Sequence, residues 1–306
     1  MSSLIRPSRL QPGDRVQVVA ASGPVDEERF RVGVEALEGR YDLRFDTTGL
    51  FARTGFLAGD DTHRLDALNT AIADPECKAV FLARGGYGLL RILQQIDREA
   101  LRAHPKPIVG FSDVTALLVC CFQAGVAAIH GPMFYQFSDL PVEDKKALFT
   151  LLEDPEPGVL LTGLETVIPG VGDGPLVGGN LEVLSRLLGT PFEPDLDGAV
   201  LFLEEVGELP YRVDRLLTHF ELAGVWSQVA GVVIGDFTDC DAAADVDEQQ
   251  PTTRQVLVER LERLAVPVVL GGTFGHGERN TALPYGTQVQ LDTTSGTLTA
   301  LEGVVS

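Results

Sequence analysis

Hydrophobic positions follow two rhythms along the first half of the chain. Short apolar runs, "RVQVVAAS" from Arg15, "KAVFLA" from Lys78, "KPIVGF" from Lys106 and "VAAIHG" from Val126, predict buried strands. Between them Phe30, Val34 and Leu37, then Leu65, Leu68 and Ile72, recur at the spacing that lines one face of a helix. "GLLRILQQID" and "DVTALLVCCFQAG" predict two more helices, the second ended by Gly125. Strands alternating with covering helices predict a parallel sheet in an α/β fold.

The rhythm degrades over residues 141–176, where "EDPEPGVLLTGLETVIPGVGDGPLVGG" is rich in proline and glycine and predicts a linker. Alternation resumes beyond it. "NLEVLSRLLG", "YRVDRLLTHFELAG" and "TTRQVLVERLERLA" predict helices, and "AVLFLEE", "VAGVVIGDF" and "PVVLGG" predict strands. The closing "GTQVQLDTTSGTLTALEG" alternates and turns at Thr294-Ser295-Gly296, which predicts an antiparallel hairpin. The expected organisation is a domain over 1–140, a linker over 141–176 and a domain over 177–306, without an internal repeat.

Composition narrows the function classes. A chain of 306 residues with 44% hydrophobic and 22% charged positions has ample material for two cores. A formal net charge of −20 repels phosphate backbones and anionic lipid, so neither nucleic acid nor membrane is an expected partner. The acidity reads as a solubility property, of the kind a salt-adapted source carries, and not as a clue to chemistry. The N-terminal "MSSLIRPSRLQPGDRVQVVAAS" lacks the pattern of an export signal, and no apolar run approaches the ~18 residues of a membrane span. Cys77, Cys120, Cys121 and Cys240 contain no C-x-x-C pair and read as small buried hydrophobes in a reducing cytoplasm.

Four places carry candidate chemistry. Ser112 stands between a predicted strand and a predicted helix, in "KPIVGFSDVTALL". That corner suits a helix cap first, and a nucleophile displayed at the sheet top as the alternative, although Val114 stands where G-x-S-x-G has its last glycine. "ARGGYG", Ala83 to Gly88, follows a strand. Its adjacent glycines suit a tight turn, an oxyanion hole or an anion cradle, and no Walker lysine follows. "LFLEEVGELPYRVDR" ends an apolar strand in Glu204 and Glu205, and alternation predicts one carboxylate buried and the other solvated. Glu208, Arg212, Asp214 and Arg215 read as solvated neighbours or ion-pair partners. In "GGTFGHGERNTALPYG", His276 lies between two glycines on a loop, a setting that displays an imidazole. His63, His104, His130 and His219 have less suggestive settings.

A metal site is not expected. H-E-x-x-H is absent, and "DCDAAADVDEQQ" has Ala244 where a calcium loop needs glycine and Gln250 where it needs glutamate, so it reads as a solvated loop.

Taken in order, "RGGYG", "GFSDVTALL", "HGPM", "GGNLEVLSRLLGTP", "LFLEEVGELPYRVDRLL" and "GHGERNTALPYG" resemble the LD-carboxypeptidase family of serine peptidases, which includes the microcin C immunity peptidases. The resemblance implies a flavodoxin-like N-terminal domain of class I amidotransferase-like topology and a smaller α/β C-terminal domain with the terminal hairpin. It also implies a catalytic triad of Ser112, Glu204 and His276, an oxyanion hole made by the backbone N–H groups of Gly86 and Asp113, and no cofactor. The family commonly has aspartate where this chain has Glu205. A serine hydroxyl is a poor nucleophile at neutral pH, so the imidazole takes its proton during attack and returns it to the leaving amine, while the carboxylate fixes the tautomer.

The activity implied is hydrolysis of the L,D-peptide bond to a terminal D-alanine of cytoplasmic muropeptide tetrapeptides, by a homodimer, with Arg84 expected on the substrate's terminal carboxylate. Two alternatives stand beside it. One is a microcin-immunity-type peptidase cleaving acyl-sulfamoyl-adenylates, which needs an aromatic platform that the single tryptophan, Trp226, is poorly placed to supply. The other is a non-catalytic muropeptide-binding protein.

Overall fold

The computed structural model describes residues 4–241 and 250–306. The acid-rich stretch expected to form a solvated loop lies mostly outside the described residues. The chain runs β1 (Arg15–Val19), α1 (Glu27–Leu37), β2 (Asp42–Arg44), α2 (Thr47–Leu50), α3 (Asp61–Ala73), β3 (Ala79–Leu82), α4 (Leu89–Ile92), α5 (Arg98–Ala103), β4 (Ile108–Gly110), α6 (Thr115–Gln123), β5 (Ala128–His130) and α7 (Val142–Glu153). It continues through β6 (Val159–Leu161), β7 (Glu165–Ile168), β8 (Val171–Asn180), α8 (Leu181–Leu187), β9 (Val200–Val206), α9 (Pro210–Leu222), β10 (Gly231–Thr238), α10 (Thr253–Leu261) and β11 (Val268–Leu270). The last strands are β12 (Leu283–Tyr285), β13 (Gln288–Asp292) and β14 (Thr297–Ala300).

The chain divides into two units, one formed by 1–156, 281–286 and 303–306, the other by 157–280 and 287–302. The first holds a six-stranded sheet ordered β12-β5-β4-β3-β1-β2. Its five parallel strands have the doubly wound order 2-1-3-4-5, in which ligands bind beyond the carboxyl ends of the strands. Val16, Val18, Phe81, Val109 and Ile129 of the sheet pack with Phe30, Phe134 and Phe137 into its core. Phe30 and Phe134 stack with ring centroids 5.0 Å apart.

The second unit holds an eight-stranded sheet ordered β6-β14-β13-β8-β9-β10-β11-β7. Its central strands β8, β9, β10 and β11 are parallel, and the flanking pairs are antiparallel. β13 and β14 form the closing hairpin, with Val289 opposite Ala300 and Asp292 opposite Thr297.

Two features depart from the sequence reading. Residues 141–176, expected as a linker, carry α7, β6, β7 and half of β8. The prolines and glycines lie mostly in the turns between these strands and in β8, and the partners of the edge strands β6 and β7, β14 and β11, lie far along the chain, out of sight of a local pattern. Residues 281–286 and 303–306, expected in the second domain, belong to the first unit, because β12 pairs antiparallel with β5 and Ser306 hydrogen-bonds the Pro7 carbonyl. Among the described residues no helix is long and apolar enough to cross a membrane.

Candidate active site

In the first unit the loops after β1, β3 and β4 meet at the carboxyl end of the sheet. β4 ends at Gly110, and Ser112 opens a single 3-10 turn that leads into α6. Ser112 has φ of 62°, in the left-handed region that costs a non-glycine residue roughly 1–2 kcal/mol. Its hydroxyl caps neither the 3-10 turn nor α6. The strain thus has no return in helix capping, and a strained, displayed side chain at a strand-to-helix turn is the geometry of a nucleophile elbow.

The loop from Arg84 to Gly88 lies directly against this corner. A Cβ at Gly85 would come 2.9 Å from Ser112 Cβ and 3.0 Å from its Oγ, so only glycine admits the serine there. The Gly85 carbonyl accepts a hydrogen bond from Gly23 N at 2.9 Å. In a planar trans peptide this turns the Gly86 N–H to the opposite side.

Asp113 does more than lend a backbone amide. Its buried carboxylate accepts from Leu89 N at 2.9 Å, tying the start of α4 to the serine corner. Burial pushes this carboxyl above the ordinary range, and the Leu89 and Gly88 amides pull it partly back. Arg84 is exposed and donates to the Pro24 carbonyl at 2.6 Å, so its guanidinium serves as a loop clamp in this structure.

In the second unit β9 carries Glu204 and Glu205. The expectation that one carboxylate would be solvated is corrected: Glu204 is 0% and Glu205 2% exposed. β9 is a central strand, so both of its faces are covered. Glu204 Oε2 meets His276 Nδ1 at 2.6 Å, while Glu204 Oε1 is buried without a hydrogen-bond partner among the described residues. Glu205 turns to the other face and closes the start of α8. It accepts from Asn180 Nδ2 at 2.9 Å, Glu182 N at 2.8 Å and Val206 N at 2.8 Å.

The loop bearing His276 is held by backbone and ring contacts. Gly272 N donates to the Ile234 carbonyl at 2.9 Å, and Asp236 N to the Phe274 carbonyl at 3.0 Å. Phe274 packs edge-on against Phe202, with centroids 5.6 Å apart. Gly275 has φ of 121°, and a Cβ there would lie 2.9 Å from Glu204 Cβ. Glycine is required on both counts.

An ionised carboxylate only accepts, so His276 Nδ1 carries the proton in this bond and the lone pair of Nε2 is the basic one. Burial pulls the imidazole pKa down, but the hydrogen bond and charge of Glu204, with the charge of Glu205 added, leave it above its ordinary value. The structure therefore joins Glu204 with His276 in the second unit, and Gly85 with Ser112 in the first.

Three contributions were not legible as function in the sequence. Asp113 binds through its carboxylate, Asn180 bridges Glu205 to α8, and Asp236 sits at a register shift of β10 against the His276 loop. Burial, then the charge of Glu204, raises the Asp236 carboxyl. Asp236 ends an apolar strand as Glu204 does, and that shared signal was available. Among the described residues no group of histidine, cysteine and acidic side chains is arranged to hold a metal.

Comparison with known proteins points the same way across the chain. Residues 16–131 match the family model for the LD-carboxypeptidase N-terminal domain, and residues 173–291 that for the LD-carboxypeptidase C-terminal domain. A putative carboxypeptidase of Synechocystis sp. is 39% identical, covering 98% of this chain and 100% of the relative. A probable murein peptide carboxypeptidase of Bacillus subtilis is 33% identical, over 98% and 95% of the two chains. The crystal structure of a muramoyltetrapeptide carboxypeptidase from Oxalobacter formigenes superposes with a TM-score of 0.82 at 27% identity, over 93% of this chain and 97% of that one. With both domain models matched in order and full-length relatives above 30% identity, the chain belongs to the LD-carboxypeptidase family.

Proposed function

We propose that this chain is a serine carboxypeptidase that removes the terminal D-alanine of muropeptide tetrapeptides, with Ser112 as nucleophile, His276 as general base and acid, and Glu204 as the orienting carboxylate. The observation that carries the reading is the buried Glu204–His276 bond, which fixes one tautomer and readies Nε2 to accept a proton. The left-handed Ser112 supports it from the other unit.

The hydroxyl of Ser112 attacks the carbonyl carbon of the scissile L,D-bond as its proton passes to His276 Nε2. The N–H groups of Gly86 and Asp113 receive the oxyanion, a role in which loss of one donor typically costs about 3 kcal/mol of barrier. The imidazolium, held by Glu204, returns the proton to the leaving nitrogen, and D-alanine departs. Water then attacks the acyl-enzyme with His276 as base and restores the serine. No step calls for a cofactor. The small peptide substrate follows the murein-peptide names of the relatives, and the family resemblance adds a cytoplasmic homodimer.

The test is mass spectrometry of L-Ala-γ-D-Glu-diaminopimelate-D-Ala, and in parallel of an acyl-sulfamoyl-adenylate, before and after incubation with the protein. Loss of one alanine from the peptide, abolished in His276→Ala, is expected. Cleavage of the adenylate alone replaces the muropeptide reading with the immunity-type one. Absence of both reactions, with no labelling of Ser112 by a serine-directed phosphonate, leaves the binding protein.

A further inference from the structure

Two large aromatic side chains stand in solvent beside the Ser112 corner. Phe56 is 65% and Tyr87 45% exposed, and their rings touch edge to face with centroids 5.6 Å apart at 61°. Leaving a phenyl group in water forgoes the favourable burial that holds Phe30, Phe81, Phe134 and Phe137 in the core of this unit.

Both rings stand on hydrogen-bonded loops. Phe56 sits on a tight turn from Thr54 to Leu57, closed by Thr54 N on the Leu57 carbonyl at 2.9 Å and Leu57 N on the Thr54 carbonyl at 3.1 Å. Gly55, with φ of 62°, makes that turn possible, and Arg53 Nε donates to its carbonyl at 3.2 Å. The base of the turn is bonded to the loop after β1 through Ala58 N and the Ser22 carbonyl at 2.9 Å. The next residue, Gly23, is the one that bonds the Gly85 carbonyl. Tyr87 follows Gly85 by two positions in the loop that lies against Ser112. Hydrogen bonds thus tie the backbone of the Phe56 turn to the loop after β1, and that loop to the Arg84–Gly88 loop that carries Tyr87 beside the serine.

Resting on the peptidase reading, we propose that Phe56 and Tyr87 form an aromatic lip that packs on the methyl and methylene groups of the peptide substrate next to the scissile bond. The mutual geometry of the rings favours an aliphatic chain over a planar base. Rings in edge contact leave no parallel-walled slot for a base to enter, whereas their outer surfaces form a V on which CH groups settle. The cations around the rings are engaged, Arg84 with the Pro24 carbonyl, Arg53 with the Gly55 carbonyl and Arg91 with Asp61, so the lip recognises bulk and not charge.

The experiment is steady-state hydrolysis of the tetrapeptide by wild type, Phe56→Ala, Tyr87→Ala, the double variant, Phe56→Tyr, and Leu222→Ala as an exposed apolar control from the other unit. The expected result is a KM raised about tenfold in each single alanine variant and further in the double, with kcat held within about threefold. Phe56→Tyr restores the wild-type KM, and Leu222→Ala never departs from it. An unchanged KM in the double variant, or a fall in kcat matching any rise in KM, overturns the lip while wild-type turnover leaves the peptidase reading standing. A wild type that fails to hydrolyse the tetrapeptide overturns that reading, and the lip with it.

Discussion

Replacing Glu205 with glutamine isolates one buried charge. Its carboxyl is pushed up to about 7 from an ordinary value of 4.5, chiefly by burial and further by Glu204, against the pull of the Val206 and Glu182 amides and the Asn180 side chain. The folded pKa lies above the unfolded one, so the stability held by the protonated form is complete below about 4.5 and is lost as pH climbs through about 7. A displacement of that size is worth about 3 kcal/mol. Glutamine carries no proton to lose. It also forfeits one acceptor, most simply the one facing Glu182 N, but that cost does not vary with pH and cancels between conditions. Urea unfolding of wild type and Glu205→Gln at pH 4.5 and pH 8 is therefore expected to show the variant gaining about 3 kcal/mol relative to wild type across the interval. Removing the Glu205 charge also lowers the His276 pKa, which acts in the same direction. Parallel stability curves for the two proteins would refute the reasoning, since they would mean that Glu205 enters the folded state with the ionisation it has in water.

Other outcomes follow from the same geometry. Ser112→Gly is expected to raise stability by roughly 1 kcal/mol, read by thermal unfolding, while abolishing turnover; Ser112→Ala keeps the strained backbone and gains nothing. Gly85→Ala places a methyl group 2.9 Å from Ser112 Cβ, and displacement of the hydroxyl by even ~1 Å is expected to lower kcat/KM about a hundredfold with the fold retained by circular dichroism. In the proposed mechanism His276 acts as a base only when neutral, so the acid limb of kcat/KM is expected above the ordinary value of 6.5 and to rise with pH. In Glu205→Gln that limb moves to lower pH, because one of the charges holding the proton on the imidazole is gone.

Four of the five parallel strands of the first unit, β1, β3, β4 and β5, were legible because each is a short apolar run, with β3 buried at all four positions and β4 and β5 at all three; β2, the polar Asp42–Arg44 at the sheet edge, was not. The edges of both sheets were not. β6, β7 and β12 are short, half-exposed or interrupted by Pro284, and each is a strand only because a partner distant in sequence offers it a ladder. Local composition at those places reports proline and glycine, which punctuate loops and are equally at home on a sheet edge. The linker expected over 141–176 arose from that ambiguity.

The chemistry was legible to a different depth. Serine at a strand-to-helix corner, carboxylates ending a strand and a histidine between glycines are sequence signals because each residue type is costly or unusual where it stands. Their division of labour is not. Period-two alternation does place Glu204 and Glu205 on opposite faces of β9, but it cannot report that α8 starts on one face and the Gly275–His276 turn lies on the other. Those two neighbours distinguish the carboxylates: Glu205 accepts three hydrogen bonds, from Glu182 N at the start of α8, from the Asn180 side chain and from Val206 N, whereas Glu204 has one imidazole and, among the described residues, one unpartnered oxygen. A carboxylate whose oxygens are both taken up by neighbouring amides is spent on structure. One that keeps a buried oxygen without a partner among the described residues beside an imidazole retains its field for that imidazole, and this asymmetry, with the Glu204–His276 bond, supports Glu204 over Glu205 as the proposed orienting residue.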